Sequence, residues 1–539
     1  VEHSLITLDS LTYTWPDGTA ALSGLTGSIA RGRTGLIGAN GAGKTTLVRL
    51  LTGELTPTVG RIHIHGSVGV LPQDLALSDQ TIAEVLGIDQ VLAALEAVES
   101  GDADVAHFDV IGQDWDIAAR AFQSLAAAGI PLAEHELDRP MRTLSGGEAV
   151  KVGLANLHLH RPELAILDEP TNNLDAAGRE HVRGLVDSWR GSLLIISHDR
   201  RLLAGVDRIV ELYGTGTRNA AGELQASTMR TWEGSFADYR RQLAAEQEAA
   251  EQAAVTARSE LGKQKRKRIE AQIKLDRRQR TAKQAVKDAK LPPIVSGNRA
   301  MEAQKSAAKL TGTHADREAA AYQNLQEAQA QVRPRVVIDI ELPDTAVPAG
   351  RTVLELDSGE EVFSIRGPER VALAGPNGAG KTTLLNRILT AVRTGEEPGV
   401  RVIDEVGVLP QRILLDPQLS VLDTVRLAAP DADPHTVRSQ LAGLQLKKDR
   451  PDQPVGQLSG GERFRVALAQ LLLADPAPQL LLLDEPTNNL DLESIEVLVE
   501  ALTAYQGALI VVSHDAEFLD EIGCTRTWEI TDGALSEAR

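Results

Sequence analysis

Two stretches of this chain carry the residues needed to hold a phosphate chain. Gly38, Ala39, Asn40, Gly41, Ala42, Gly43, Lys44 and Thr45, followed by Thr46, form one Gly-x-x-x-x-Gly-Lys-Thr loop. Gly375, Pro376, Asn377, Gly378, Ala379, Gly380, Lys381 and Thr382, followed by Thr383, form the other. Glycines let successive backbone N–H groups turn toward phosphate oxygens, and the N-terminus of a following helix adds a favourable field. Lys44 and Lys381 are placed to hold β- and γ-phosphates, and the Thr45 and Thr382 hydroxyls to ligate Mg²⁺. An apolar run precedes each loop, Gly35 to Ile37 and Val371 to Ala374, and a helix-like run follows, Leu47 to Leu51 and Leu384 to Leu389. The pattern is strand, loop, helix, twice, and an ATP·Mg²⁺ site is expected at each.

Further along each half, an apolar run ends in two acids: Leu164 to Asp168 and Glu169, and Leu480 to Asp484 and Glu485. Such a strand is apolar on both faces because helices cover both sides of a parallel sheet. Asp168 and Asp484 suit a magnesium shell; Glu169 and Glu485 are placed to polarise an attacking water. His198 and His514 end comparable runs and are candidates to contact the γ-phosphate and orient that water. A histidine at a strand end is commonly structural, but both follow an acid pair. Gln73 and Gln411, each in Leu-Pro-Gln, are candidate γ-phosphate and metal sensors.

These elements imply a repeat. Lys44 and Lys381 are 337 apart, Gln73 and Gln411 338, Ser145 and Ser459 314, Asp168 and Asp484 316, His198 and His514 316. The first half therefore carries about 24 extra residues within 74–142. They are either a neutral surface insertion, since loop closure grows slowly with length, or a functional arm. The expected architecture is α/β, with two tandem nucleotide-binding domains, 1–238 and 334–539, flanking a helical linker, 239–333. Helix formers dominate that linker, and Leu291-Pro-Pro293 should break it into a hairpin, with weak points at Gly262 and Gly312. A 50-residue helix would reach about 75 Å.

Length, charge and cysteine content narrow the classes. A chain of 539 residues exceeds one core. A net charge of −19 argues against nucleic-acid binding by the whole surface but not by one element. The single cysteine, Cys524, excludes a disulfide framework or a Cys-based zinc site and suits the cytoplasm. No secretory signal pattern and no membrane-spanning apolar run is read. Ala467 to Leu483 comes closest, and it is broken by Gln470, Asp475, Pro476, Pro478 and Gln479.

Together with Leu144-Ser-Gly-Gly-Glu148 and Leu458-Ser-Gly-Gly-Glu462, and with the loops ending at Asp175 and Asp491, these motifs resemble the ATP-binding cassette (ABC) superfamily. Tandem cassettes, no membrane span and a charged helical linker of roughly 90 residues resemble its ABC-F class. The resemblance implies one monomer whose two cassettes pair head to tail. Ser459, Gly460 and Gly461 would then close on the first phosphate loop, and Ser145, Gly146 and Gly147 on the second. It also implies an ATPase that binds the ribosomal E site. There the linker would act near the peptidyl-transferase centre, against 23S rRNA and P-site tRNA, and protect the ribosome from antibiotics of the macrolide, lincosamide, streptogramin or pleuromutilin kind. Asn173 and Asn489 stand where the family motif has histidine, and Ala149 where the second signature has Arg463. Trp15 is placed to stack on adenine in the first site; no aromatic is found at the comparable place, around Leu342 to Val353.

Within Arg258 to Lys290 the linker carries 13 Lys or Arg against 4 acids, a balance opposite to the rest of the chain. Lys265, Arg266, Arg268, Arg277, Arg278, Arg280 and Lys283 are the candidate contacts to an RNA backbone, in a salt-dependent mode. A solvated helix face is the plain alternative. The resemblance leaves three other functions open: a housekeeping translation factor, the ATPase subunit of a transporter, and a DNA-handling ATPase. DNA is not the expected partner, because two complete cassettes disfavour a single cassette split by a coiled coil.

Overall fold

The computed structural model describes residues 4–172, 174–213, 226–288, 293–333, 342–359, 361–411, 413–446, 449–488, 490–531 and 533–538. Asn173, Asn489, Leu291 and Pro292 lie outside the described residues. The chain divides into two compact units, Val1–Phe236 with Val336–Arg539, and Ala237–Arg335. The linker unit is thus longer by two residues at each end than the sequence suggested.

The two halves of the first unit share one topology. In the first half, strands Ala20–Ala30, Ser4–Thr14 and Val59–Ile64 form an antiparallel sheet in that order. A six-stranded sheet follows in the order Val68–Leu71, Leu164–Asp168, Ser192–Ile196, Arg33–Ile37, Arg208–Tyr213, Thr228–Glu233. All its pairings are parallel except the last. In the second half the order is Val406–Leu409, Leu480–Asp484, Ala508–Val512, Arg370–Ala374, Arg526–Thr531, Ala534–Glu537, again parallel except the last pair. Every residue of Leu164–Asp168, Ser192–Ile196 and Ala508–Val512 is buried, which is why these strands are runs of Leu, Ile and Val rather than alternations. Parallel strands send all their C-terminal ends to one edge, and ligands of such sheets bind there.

The bridges Thr81–Pro140 and Ser420–Pro454 mark equivalent points in the two halves and enclose the length difference. Between Thr81 and Pro140 lie four α-helices, Ile82–Val85, Asp89–Glu99, Val105–Ile111 and Ile117–Ala127; among the described residues the corresponding stretch of the second half has two, Val421–Arg426 and Pro434–Gly443. The insertion is therefore a helical pair. Val105, Val110 and Trp115 on it are exposed, and Trp115 packs a tilted ring against Phe108 at 6.0 Å.

In the second unit, helices Phe236–Asp288 and Pro293–Gln331 extend about 80 and 58 Å at 1.5 Å per residue. They run antiparallel. Gln247 and Arg333 exchange two hydrogen bonds at 3.1 Å, and Arg268 pairs with Glu318 at 3.1 Å. Leu261, Ala321 and Leu325 form a small core between them. Gly262 and Gly312 were expected to weaken the helices, yet both lie within unbroken helix. A glycine costs about 1 kcal/mol in a helix interior, and a long helix with a packed partner absorbs it.

Candidate functional site

Register places the acids and histidines together. Asp168 pairs with Ile196 across adjacent strands, and Asp484 with Val512, so Glu169 and His198, and Glu485 and His514, leave the same sheet edge. The Glu169 amide then donates to the Ile196 carbonyl at 2.8 Å, and the Glu485 amide to Val512 at 2.9 Å. Both glutamates adopt left-handed backbone, φ 49° and φ 47°. That conformation is costly for a residue with a Cβ and recurs where geometry serves a site. It turns each carboxylate to the histidine: Glu169 Oε1 lies 3.4 Å from His198 Nε2, and Glu485 Oε1 3.3 Å from His514 Nε2.

Burial dominates the electrostatics. It pushes Glu169 up to about 8, with Lys44 opposing, and Glu485 up to about 7, with Arg179 and Lys381 opposing. It pushes Asp168 up to about 6 and lowers His198 to about 3 and His514 to about 4. Both histidines are therefore neutral near pH 7. Burial also lowers Lys44 and Lys381, whose ammonium groups donate to carbonyls of their own loops: Gly38 and Ala39 at 2.7 and 3.2 Å, Gly375 and Pro376 at 2.7 and 3.0 Å.

A cavity of about 390 Å³ opens over the first loop, within the range of small-molecule sites. Asn40, Gly41, Gly43, Lys44, Thr45, Thr46, Gln73, Asp168, Glu169 and His198 line it, with Trp15 at its rim. Gly38, Ala39 and Ala42 belong to the same loop but are not among the lining residues. A Cβ on Gly38, at φ 154°, would lie 2.6 Å from the Leu212 carbonyl, so only glycine fits. In the second half Gly375 to Thr383 repeat the loop, the Thr382 hydroxyl donates to Asp484 at 2.9 Å, and Gln411 is exposed just beyond its strand. The second half has no aromatic matching Trp15, but the comparable place is not Leu342 to Val353. Strands Thr352–Asp357 and Val362–Arg366 correspond to Ser4–Thr14 and Ala20–Ala30, so the equivalent connection is 358–361. Its shorter hairpin displaced the offset.

Mg²⁺ takes hard oxygen ligands in an octahedron, usually one or two protein oxygens plus phosphates and water. The adjoining Thr382 hydroxyl and Asp484 carboxylate fit that set, and Thr45, Gln73 and Asp168 share one cavity. Among the described residues no three His, Cys, Asp or Glu gather as a metal cluster.

The halves meet at these loops. The Asn40 amide donates to Asp491 Oδ2 at 2.6 Å, and the Asn377 amide to Asp175 Oδ2 at 3.4 Å. Ser145 and Ser459 are helix N-caps in reciprocal capping boxes with Glu148 and Glu462. Gly146, Gly147, Gly460 and Gly461 are the first residues of those helices. Ser459, Gly460 and Gly461 are not among the residues lining the first cavity; Asp491 reaches the first loop from the other half.

The ABC transporter family model matches residues 22–172 and 361–488. ABC transporter F family member 5 of Arabidopsis thaliana is 30% identical, over 96% of this chain and 74% of the relative. The chain belongs to the ABC-F family. Two further relatives of this ABC-F ATPase are the tylosin resistance ATP-binding protein TlrC of Streptomyces fradiae, 30% identical over 99% of both chains, and the energy-dependent translational throttle protein EttA of Mycobacterium tuberculosis, 29% identical over 92% of this chain and 86% of the relative. An archaeal ribosome recycling factor, crystallised with a ribosomal stalk protein, shares the fold at TM-score 0.51 and 19% identity, over 96% of this chain and 87% of that one. As an ABC-F ATPase the chain binds and hydrolyses ATP.

Sequence reasoning missed Asn172 in the first cavity and the pair Arg179 and Asn488 beside the second loop. The capping boxes were legible as Ser-x-x-Glu before an apolar run. Arg179 had no such signal.

Proposed function

We propose that this ABC-F ATPase is a nucleotide-driven switch on the ribosome. The observation that carries this reading is the linker. Lys265, Arg266, Arg268, Arg277, Arg278 and Arg280 are exposed on one long helix of an otherwise acidic protein. Lys283 is helical, with its side chain outside the described residues. Among the described residues, Arg268 is the one of the six with a carboxylate at ion-pair distance, Glu318. Exposed cations along one long helix suit a phosphate backbone.

ATP with Mg²⁺ closes the cassettes, and the closed form seats in the E site with the linker toward 23S rRNA and P-site tRNA near the peptidyl-transferase centre. Thr45, Gln73 and Asp168 in the first site, and Thr382, Gln411 and Asp484 in the second, would hold Mg²⁺, which would supply charge neutralisation to the phosphates. Lys44 and Lys381 hold those phosphates, and Gln73 and Gln411 sense them. Glu169 and Glu485 polarise the attacking water, oriented by His198 and His514, and hydrolysis releases the protein. Nucleotide sets the state by binding the closed form better than the open one.

Ribosome protection against antibiotics is the favoured outcome, supported by full-length similarity to a tylosin resistance protein. Similarity to a translational throttle protein supports a housekeeping role as the second reading. Either role places the chain in the cytoplasm; no helix among the described residues is long and apolar enough to cross a membrane. The test is sedimentation of Glu169→Gln/Glu485→Gln protein with ribosomes in ATP, paired with susceptibility to drugs of the peptidyl-transferase centre. The variant should be trapped on ribosomes. If it stays off them, the ribosomal reading fails.

A further inference from the structure

The two ATP sites are not mirror images, and the difference lies in side chains that cross from one cassette to the other. Helices Ala176–Ser188 and Leu492–Ala504 are equivalent, each 13 residues long and capped by Asp175 or Asp491. Their fourth residues are Arg179 and Ile495. Ile495 is buried in the core of its own cassette. Arg179 instead reaches the second cassette: its Nη2 donates to Asn488 Oδ1 at 3.3 Å, while its Nε donates to the Leu174 carbonyl at 3.1 Å and its Nη1 lies 3.7 Å from Asp199. Arg179, Asp199, His514 and Asp515 line one small cleft of about 50 Å³ at this junction. The same one-sidedness recurs at the next helix. Arg200 of the first cassette pairs with Glu521 of the second at 2.6 Å, and the equivalent residue of the second cassette is Ala516.

We propose that Arg179 is a positioning residue supplied by the first cassette to the second ATP site alone. It holds Asn488, three residues after Glu485, and so fixes the loop that carries Glu485 beside His514. Three anchors on one planar guanidinium set the direction of the Asn488 contact, which neither a lysine nor the isoleucine of the other half reproduces. Closure of the cassettes and assembly of the second site are thereby one event, because the site lacks Arg179 until the halves meet. The loop-to-aspartate bridge occurs in both halves, Asn40 to Asp491 and Asn377 to Asp175, so it does not distinguish the sites as Arg179 does.

The inference rests on Glu485 activating water at the second site, so the test separates the two. Single-turnover phosphate release from ATP is measured in Glu169→Gln protein, which reports the second site, and in Glu485→Gln protein, which reports the first. Arg179→Ile should slow release about tenfold or more in the Glu169→Gln background, as expected when a reacting group is misplaced. Half-saturating ATP should change little, and release in the Glu485→Gln background should be unaffected. Asn488→Ala should reproduce the loss, and the double variant should be no slower than either single one, the signature of residues that act as a pair. Equal slowing in both backgrounds, no slowing in either, or additive losses would overturn the proposal. So would the same site-selective loss from Arg200→Ala, which would make Arg179 one clamp among others. Residual hydrolysis in Glu169→Gln/Glu485→Gln protein would refute the role of Glu485 itself.

Discussion

Asp491 does two jobs that can be separated by substitution. Its Oδ1 accepts from the Ser494 amide at 2.9 Å and caps helix Leu492–Ala504, while its Oδ2 accepts from the Asn40 amide of the other cassette at 2.6 Å. The residue is buried, so water replaces neither contact. Losing an N-cap costs about 1 kcal/mol of stability. Losing a hydrogen bond to a charged group costs about 1.5–3 kcal/mol, here charged to closure rather than to folding. Asp491→Ser keeps a capping oxygen but cannot span to Asn40. It should leave the melting temperature nearly unchanged and raise the ATP concentration needed for closure by roughly tenfold to a hundredfold. Asp491→Ala should show the same shift and a lower melting temperature as well. Asp175→Ser, whose bridge to Asn377 is 3.4 Å, should shift closure less. The assay is ATP titration of the Glu169→Gln/Glu485→Gln protein, with thermal melts of the same samples. The reasoning is wrong if Asp491→Ser melts like Asp491→Ala, or if its ATP requirement matches the parent.

Other outcomes follow from the same geometry. Burial works against the charge on Asp491, yet hydrogen bonds from Ser494 and the Asn40 amide hold its carboxyl below the usual range. Its contribution is thus complete above the ordinary aspartate pKa and lost as pH falls through the lower folded value; Asp491→Asn protein should lack that acid limb in a pH series of ATP titrations. Gly38→Ala should abolish nucleotide binding at the first site through its clash with the Leu212 carbonyl while leaving one site per chain by equilibrium dialysis. Leu325→Ala should cost about 2–5 kcal/mol in a core of three residues, seen as faster amide exchange along both linker helices with ATPase unchanged. Reversal of Arg277, Arg278 and Arg280 to Glu should abolish ribosome co-sedimentation and spare ATP binding; unchanged co-sedimentation would remove RNA contact from the linker.

The phosphate loops, acid pairs and histidines were legible because backbone geometry dictates their residue types: glycine where a Cβ collides, apolar runs where a strand is covered on both faces. The hairpin was legible from composition and two prolines. What lay hidden depended on distance or on loop length. Arg179 is an ordinary helix residue until a second cassette faces it. The place opposite Trp15 moved because a shorter hairpin altered an offset that is steady elsewhere. The glycines of the linker were misjudged because single-helix propensity says nothing of a partner helix. The Ser-Gly-Gly-Glu serines, expected to close on nucleotide, also cap helices in reciprocal boxes with Glu148 and Glu462.

The bridge between Asn40 and Asp491 also orders events during synthesis. Its partners are 451 residues apart. At roughly 5–20 residues per second, a nascent chain waits on the order of tens of seconds between making the first phosphate loop and making the residue that completes its surroundings. The first half and the whole linker emerge before Asn488 and Asp491 exist. An unfinished chain therefore has its basic hairpin but lacks the contacts that close the cassettes, so under the proposed function it could not yet capture the ribosome that is making it.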